Sequence, residues 1–169
     1  MTSGNKDELL LNKTLTYANG YRELGMYKDA LEEISRLPSR LAERLEAIQM
    51  KVAIFIDAQD WKSATTAAKN LLLLEPNNPG HLVNLAFVTR RSRNLSEAKA
   101  ILADAALRFP QIAIVHYNLG CYACQESELE TAKNTLAKAF SLDPTFLEIA
   151  KSDEDLIDLK SWLDKLEFA

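Results

Sequence analysis

The chain has 169 residues, of which 47% are hydrophobic and 26% are charged, and its net charge is −4. This length suffices for one domain with a buried core, and the composition is that of an ordered globular protein rather than a disordered one. The small acidic excess gives no electrostatic reason to expect binding to nucleic acid or to an anionic membrane. No stretch approaches the roughly 18 apolar residues of a membrane-spanning helix. Residues 1–13 lack the apolar core of a signal peptide, so we expect a cytoplasmic protein.

Apolar residues recur at intervals of three and four along most of the chain, which is the period of an amphipathic helix. With only five glycines and five prolines, we predict an all-α protein whose helices are joined by short turns. In chain order, the predicted helices cover residues 7–24, 27–37, 40–57, 61–74, 79–92, 95–108, 111–125 and 128–141. We expect Asp60 and Ser96 to cap two of them, because such side chains accept hydrogen bonds from the free amides of a first turn.

A 34-residue repeat is marked by prolines. Pro76, Pro110 and Pro144 are spaced 34 residues apart, and each follows a helical pattern. Proline has no amide donor and crowds the preceding turn, so it ends a helix. When the units are aligned by these prolines, small residues fall into two columns: Ala64, Ala98 and Ala132 in one, and Val52, Ala86 and Gly120 in the other. The second column predicts that the two helices of a pair approach closely there, and each unit reads as helix, tight turn, helix.

This pattern resembles the tetratricopeptide repeat (TPR). The last full unit matches best, because its Leu-Gly pair, its alanines and its final Asp-Pro stand at the positions of the family pattern: Leu119-Gly120, Ala132, Ala139 and Asp143-Pro144. The first unit departs from the pattern at Pro38, which arrives about one helical turn early. The resemblance implies a right-handed α-solenoid of about four helix pairs, at residues 11–40, 45–76, 79–110 and 113–144. We expect residues 1–10 to form an N-terminal extension and the start of the first helix.

After Pro144 the sequence changes to short amphipathic segments. Apolar residues form a stripe at helical spacing: Leu156, Leu159, Trp162, Leu163 and Leu166. The acidic residues are expected on the opposite face. Because a solenoid must cover the apolar face of its last repeat, we interpret residues 145–169 as a C-terminal capping helical segment. The alternative is an exposed stripe that forms a homodimer.

The resemblance also implies a binding groove, because the first helix of each pair in this family lines a concave surface. The groove residues implied are Asn84, Phe87, Arg90, Arg91, Tyr117, Asn118, Cys121 and Gln125. Asn84 and Asn118 are 34 residues apart and should be neighbours, and a side-chain amide can both donate to and accept from a peptide backbone. Arg90 and Arg91 can pair with acidic groups of a ligand. The alternatives are water-facing asparagines and solvated arginines at a helix end.

The sequence contains no catalytic triad order, glycine-rich phosphate loop or His-Glu-x-x-His motif, so we expect neither an enzyme nor a cofactor. Cys121 and Cys124 share a helix face and leave a metal or redox protein as a minor alternative. The preferred interpretation is an adaptor or scaffold whose groove binds a peptide or helix of a partner protein. The first alternative is a small secretion chaperone of the TPR type that holds a client protein.

Overall fold

The computed structural model describes residues 3–92 and 94–166, and over these ranges the regular structure is entirely helical, as predicted. The helices are α1 (Ser3–Glu23), α2 (Tyr27–Ser35), α3 (Ser39–Ala42), α4 (Leu45–Asp57), α5 (Trp61–Leu74), α6 (Pro79–Arg91), α7 (Leu95–Arg108), α8 (Ala113–Gln125), α9 (Leu129–Leu142), α10 (Thr145–Ser152), a 3₁₀ segment (Glu154–Leu159) and α11 (Lys160–Leu163). Residues 1–2 of the predicted extension and 167–169 of the predicted cap lie outside the described residues. None of the helices in these ranges has both the length and the apolar character that crossing a bilayer requires.

The chain consists of two compact units, divided between His81 and Leu82. In the first unit α1 packs against α2, α4 packs against α5, and both α1 and α2 contact α4. The core of this unit is made of small and branched apolar residues: Leu11, Ala18, Ala30, Ile34, Leu37, Leu41, Ala47 and Ile54. Leu11 and Ala18 are seven residues apart on α1, which places them on one face of that helix.

The prediction of one helix over residues 40–57 is wrong, because the chain breaks between Ala42 and Leu45. Arg44 has an extended backbone, with φ −70° and ψ 152°, immediately before α4. Its guanidinium pairs with Glu8 and with Glu46, both at 2.7 Å. Leu41, which is 3% exposed, lies in the core on the other side of the break. Tertiary packing and ion pairing therefore interrupt a run that contains neither glycine nor proline.

Of the two N-cap residues predicted from the sequence, the structure shows one. The Asp60 side chain accepts a hydrogen bond from the Ser63 amide at 3.1 Å, as expected of an N-cap. The predicted cap at Ser96 is wrong: Asn94 occupies that position and accepts from the Glu97 amide at 3.0 Å. An asparagine two residues earlier offers the same acceptor chemistry, and it stands directly before the first helical residue.

The second unit is built around the packing of α8 on α9, with α7 also against α8. Its core contains Ala86, Ala98, Ala132 and Ala139, all without solvent exposure. Gly120 shows why that repeat position needs a small residue: a Cβ there would lie 2.6 Å from Leu136 Cγ. Real side chains do not approach so closely, so α8 and α9 can pack at this distance only because glycine has no Cβ.

Apolar residues of the C-terminal segment are buried in this core. Leu156, Leu159 and Leu163 are at most 2% exposed and belong to the same apolar cluster as α8 and α9. Trp162 packs on Phe140 with ring centroids 6.3 Å apart. The apolar stripe that could have remained exposed is therefore covered within the chain.

Candidate functional site

The structure gathers four of the eight expected groove residues around one short stretch of the C-terminal segment, residues 153–155. These four are Arg90 on α6 and Tyr117, Cys121 and Gln125 on α8. We use the name α6–α8 face for the eight expected groove residues, which α6 and α8 carry. The 3₁₀ segment that begins at Glu154 contacts α8 directly.

Arg90 makes the most elaborate contact on this face. Its two terminal nitrogens donate to the two carboxylate oxygens of Asp155, Nη2 to Oδ1 at 2.5 Å and Nη1 to Oδ2. The guanidinium also lies over the Tyr122 ring, 5.0 Å from its centroid. The hydrogen bond to Asp155 raises the pKa of Arg90, so the cation persists although the side chain is half-buried. A planar fork held between an aromatic face and a carboxylate is geometry that favours arginine over lysine.

Tyr117 and Cys121 face the other aspartate of the segment. The Tyr117 hydroxyl donates to Asp153 Oδ2 at 2.6 Å, and its ring lies 4.8 Å from that of Phe146. The Cys121 thiol contacts the same carboxylate oxygen at 3.7 Å. Burial, followed by the hydrogen bond to Asp153, raises the pKa of Tyr117, so the hydroxyl remains a donor.

Backbone groups of the segment are also recognised. Gln125 Nε2 donates to the Asp155 carbonyl oxygen at 2.9 Å. Asp153 Oδ1 accepts from the Asp155 amide at 2.9 Å, which fixes the turn that starts the 3₁₀ segment. The α6–α8 face therefore holds two acidic side chains and one backbone carbonyl, the groups by which a protein surface binds a peptide.

The other four expected residues are Asn84, Phe87, Arg91 and Asn118, and they differ in exposure. Asn84, Phe87 and Arg91 are exposed, and the Arg91 guanidinium lies 5.7 Å from the Phe87 ring centroid. Asn118 is half-buried. That Asn84 and Asn118 lie next to each other stays a prediction.

Sequence reasoning missed Asp153 and Asp155 as partners of this face. We expected the C-terminal acids on the outer side of the capping stripe, and Glu154 and Asp158 are indeed exposed. Asp153 and Asp155 instead turn inward and are half-buried. Their alternation with Glu154 is the signal that could have separated them, because a 3₁₀ turn or extended stretch sends successive side chains to different sides.

Both cysteines lie inside the second unit, with Cys121 3% and Cys124 2% exposed. Burial raises the pKa of each thiol, which keeps it protonated at neutral pH. Metal binding and disulfide exchange both require the thiolate, so this environment opposes the metal or redox alternative. Over the described ranges, no group of three or more His, Cys, Asp and Glu side chains is arranged to hold a metal ion.

No protein-family model and no curated protein matches the sequence. Solved structures do match its fold. The crystal structure of MamA superposes with a TM-score of 0.69 at 16% identity, covering 88% of this chain and 88% of that one. TTC0263, a thermophilic TPR protein of Thermus thermophilus, gives 0.66 at 21% identity over 90% of this chain and 82% of that one.

A third match is YrrB, described as a TPR protein with an unusual peptide-binding site, with a TM-score of 0.63 at 14% identity over 89% of this chain and 82% of that one. At such low identity these likenesses establish the fold alone. They agree with the all-helical architecture described above. The chain therefore has an all-α solenoid fold of the tetratricopeptide-repeat type.

Proposed function

We propose that this chain is a non-catalytic protein-interaction module, a cytoplasmic adaptor or scaffold, that binds an extended segment or helix of a partner protein on the α6–α8 face. The observation that carries the proposal is the contact of this face with residues 153–155. Arg90, Tyr117 and Gln125 already hold a stretch of polypeptide through two carboxylates and a backbone carbonyl. A surface that binds its own chain in this manner has the donors needed to bind another.

The partner would lie along the exposed part of the face, beside the stretch that the C-terminal segment covers. Asn84 and Asn118 offer amides to a peptide backbone, and the exposed Phe87 ring offers an apolar contact. The same division of labour, backbone hydrogen bonds for affinity and side-chain contacts for specificity, is common in peptide recognition. The description of YrrB as having a peptide-binding site supports this use of the fold.

The test compares two matched double variants in capture from a native lysate, followed by titration of the purified partner. Asn84→Ala/Asn118→Ala removes the two asparagine amides from the face. Asn70→Ala/Asn134→Ala removes two exposed amides from α5 and α9 and serves as the control. We expect the first variant to weaken binding at least about tenfold, or 1.4 kcal/mol, and the control to bind as wild type does.

Alanine is favourable in a helix, so neither variant should unfold the chain, and circular dichroism checks this. A partner bound equally by wild type and both variants would place the binding surface elsewhere and overturn the proposal.

A further inference from the structure

Helix α1 carries large apolar side chains on two different faces. One face, with Leu11 and Ala18, is buried in the core of the first unit. On another face Leu10 and Tyr17 are 41% and 51% exposed, and Leu24, which directly follows the helix, is 74% exposed. Residues seven apart lie almost above one another on a helix, so these three form one stripe. Leu24 keeps this alignment because its amide donates to the Gly20 carbonyl, as in a further helical turn. Isolated apolar residues are ordinary on a surface, but three large ones aligned along one helix favour an interaction site.

A depression lies beside the C-terminal half of this stripe. It has a volume of about 370 Å³ and is lined by Thr16, Tyr17, Gly20, Tyr21, Leu24 and Glu33. A Cβ placed on Gly20 would meet no atom within 4 Å, so packing within the chain does not require glycine there. Glycine in the middle of a helix is destabilising relative to alanine. A partner that approaches this helix closely would explain the glycine.

The spacing of the stripe is self-complementary. Leu10 and Leu24 are each seven residues from Tyr17. If two copies of α1 lie antiparallel about a two-fold axis beside Tyr17, Leu10 of each copy comes opposite Leu24 of the other. An interface that uses the same patch on both molecules, with each contact made twice, is the usual arrangement of a homodimer.

Charge favours the same antiparallel arrangement. It places residues 10–14 of one copy over residues 20–24 of the other, so Lys13 of one copy approaches the depression whose rim carries Glu33 of the other. Glu33 also pairs with Arg36, and Lys13 lies 5.6 Å from the ring centroid of its own Tyr17. A parallel arrangement would instead bring the two Lys13 ammonium groups together, which is unfavourable.

We propose that a second copy of this chain docks on the Leu10–Tyr17–Leu24 stripe, forming a homodimer through antiparallel α1 helices. Leu10 of each copy fills the depression beside Gly20 of the other copy. Lys13 of each copy pairs with Glu33 of the other copy. This interface lies in the first unit and does not rest on the function proposed for the α6–α8 face.

The first experiment measures mass in solution by sedimentation equilibrium, at concentrations up to about 100 μM. Leu10→Asp/Leu24→Asp places charges in the stripe. Leu73→Asp/Leu107→Asp is the matched control, because these leucines are 80% and 84% exposed on α5 and α7. We expect wild type and control to be dimers and the stripe variant to be a monomer with an unchanged helical spectrum. A monomeric wild type, or a stripe variant that dimerises as wild type does, would overturn the proposal.

The second experiment tests the register by disulfide formation. Leu10→Cys and Leu24→Cys are prepared separately, one of them with a size tag, and oxidised alone and mixed. An antiparallel interface brings the two different positions within disulfide reach, so a cross-linked species should form in the mixture and not in either sample alone. Cross-linking of Leu10→Cys with itself, and none in the mixture, would rule out the proposed arrangement.

Discussion

Asp153 and Asp155 of the C-terminal segment each accept hydrogen bonds from two groups. Asp153 accepts from the Tyr117 hydroxyl with one oxygen and from the Asp155 amide with the other. Asp155 accepts from Arg90 with its carboxylate and from Gln125 with its carbonyl oxygen. Losing either carboxylate would leave a donor without its partner, the buried Tyr117 hydroxyl or the half-buried Arg90 guanidinium, which costs more than the net value of the bond itself. These aspartates thus fix the geometry of the cap as well as occupying the face.

The protonation of buried groups at this site predicts alkaline sensitivity. Burial raises the pKa of Cys121 and of Tyr117 above their ordinary values of 9.0 and 10.0. Above those values the unfolded chain releases protons that the folded chain retains. Their contribution to stability is therefore complete below about pH 9 and falls as pH rises further, by up to about 1.4 kcal/mol per pH unit for each group.

Urea unfolding at a series of pH values between about 8 and 10.5 measures this effect. We expect Cys121→Ala to show a flatter decline of the unfolding free energy than wild type, with the remaining decline due to Cys124 and Tyr117, whose pKa values are also raised by burial. Identical slopes for the two proteins would contradict the assignment to Cys121. The slopes are compared rather than the absolute values, because the substitution also removes a buried sulfur.

At the scale of the helix pair, the close approach of α8 and α9 makes a sharp prediction. Gly120→Ala should lower the free energy of unfolding by about 1–3 kcal/mol, because the added methyl overlaps Leu136, which has no solvent exposure and is packed in the core. Gly4→Ala is the control, since a Cβ at that position in α1 meets nothing within 4 Å. Thermal or urea unfolding gives both values. Equal stability of Gly120→Ala and wild type would show that the helices can separate at little cost.

Most helices could be predicted from the sequence because their signals are local. Four predicted boundaries coincide with those observed for α5 and α7, which end shortly before Pro76 and Pro110. The break before α4 could not be predicted, because it arises from burial of Leu41 and from the ion pair of Arg44 with Glu8, which is 36 residues away in sequence. The capping segment could be predicted in the same way, because its apolar residues also recur at helical spacing.

The candidate site was less predictable than the fold. The family pattern selects the residues on the inner helices, but it says nothing about which of them the chain itself covers. Arg90 and Tyr117 meet Asp155 and Asp153 across 65 and 36 residues of sequence. Such pairings depend on the path of the C-terminal segment after α10, where a 3₁₀ stretch replaces the α-helical period on which the predicted helices depend.

At the scale of the whole molecule, the cap completes the core of the second unit, which is made of residues from Leu82 onward. Ending the chain after Ser152 removes Leu156, Leu159 and Leu163, each of whose burial stabilises by about 1.5–3 kcal/mol. We expect hydrogen exchange to show loss of amide protection throughout residues 82–152 and much smaller changes in residues 3–81.

The matched control for the truncation is Ile157→Ala/Asp158→Ala, which alters two exposed residues of the same segment. It should keep the protection pattern of wild type. Unchanged protection after truncation would mean that α8 and α9 are stable without the capping leucines.

The placement of the cysteines gives this protein a built-in reporter. The sequence has two, and both lie in the second unit beneath the solvent-exposed surface. A thiol reagent can react only when that unit opens, since the reaction needs both contact and the thiolate. With reagent in excess, the labelling time course of the unaltered chain reads the opening of one half of the molecule, and the arrival of a bound partner or the loss of the cap would appear directly as a change in its rate.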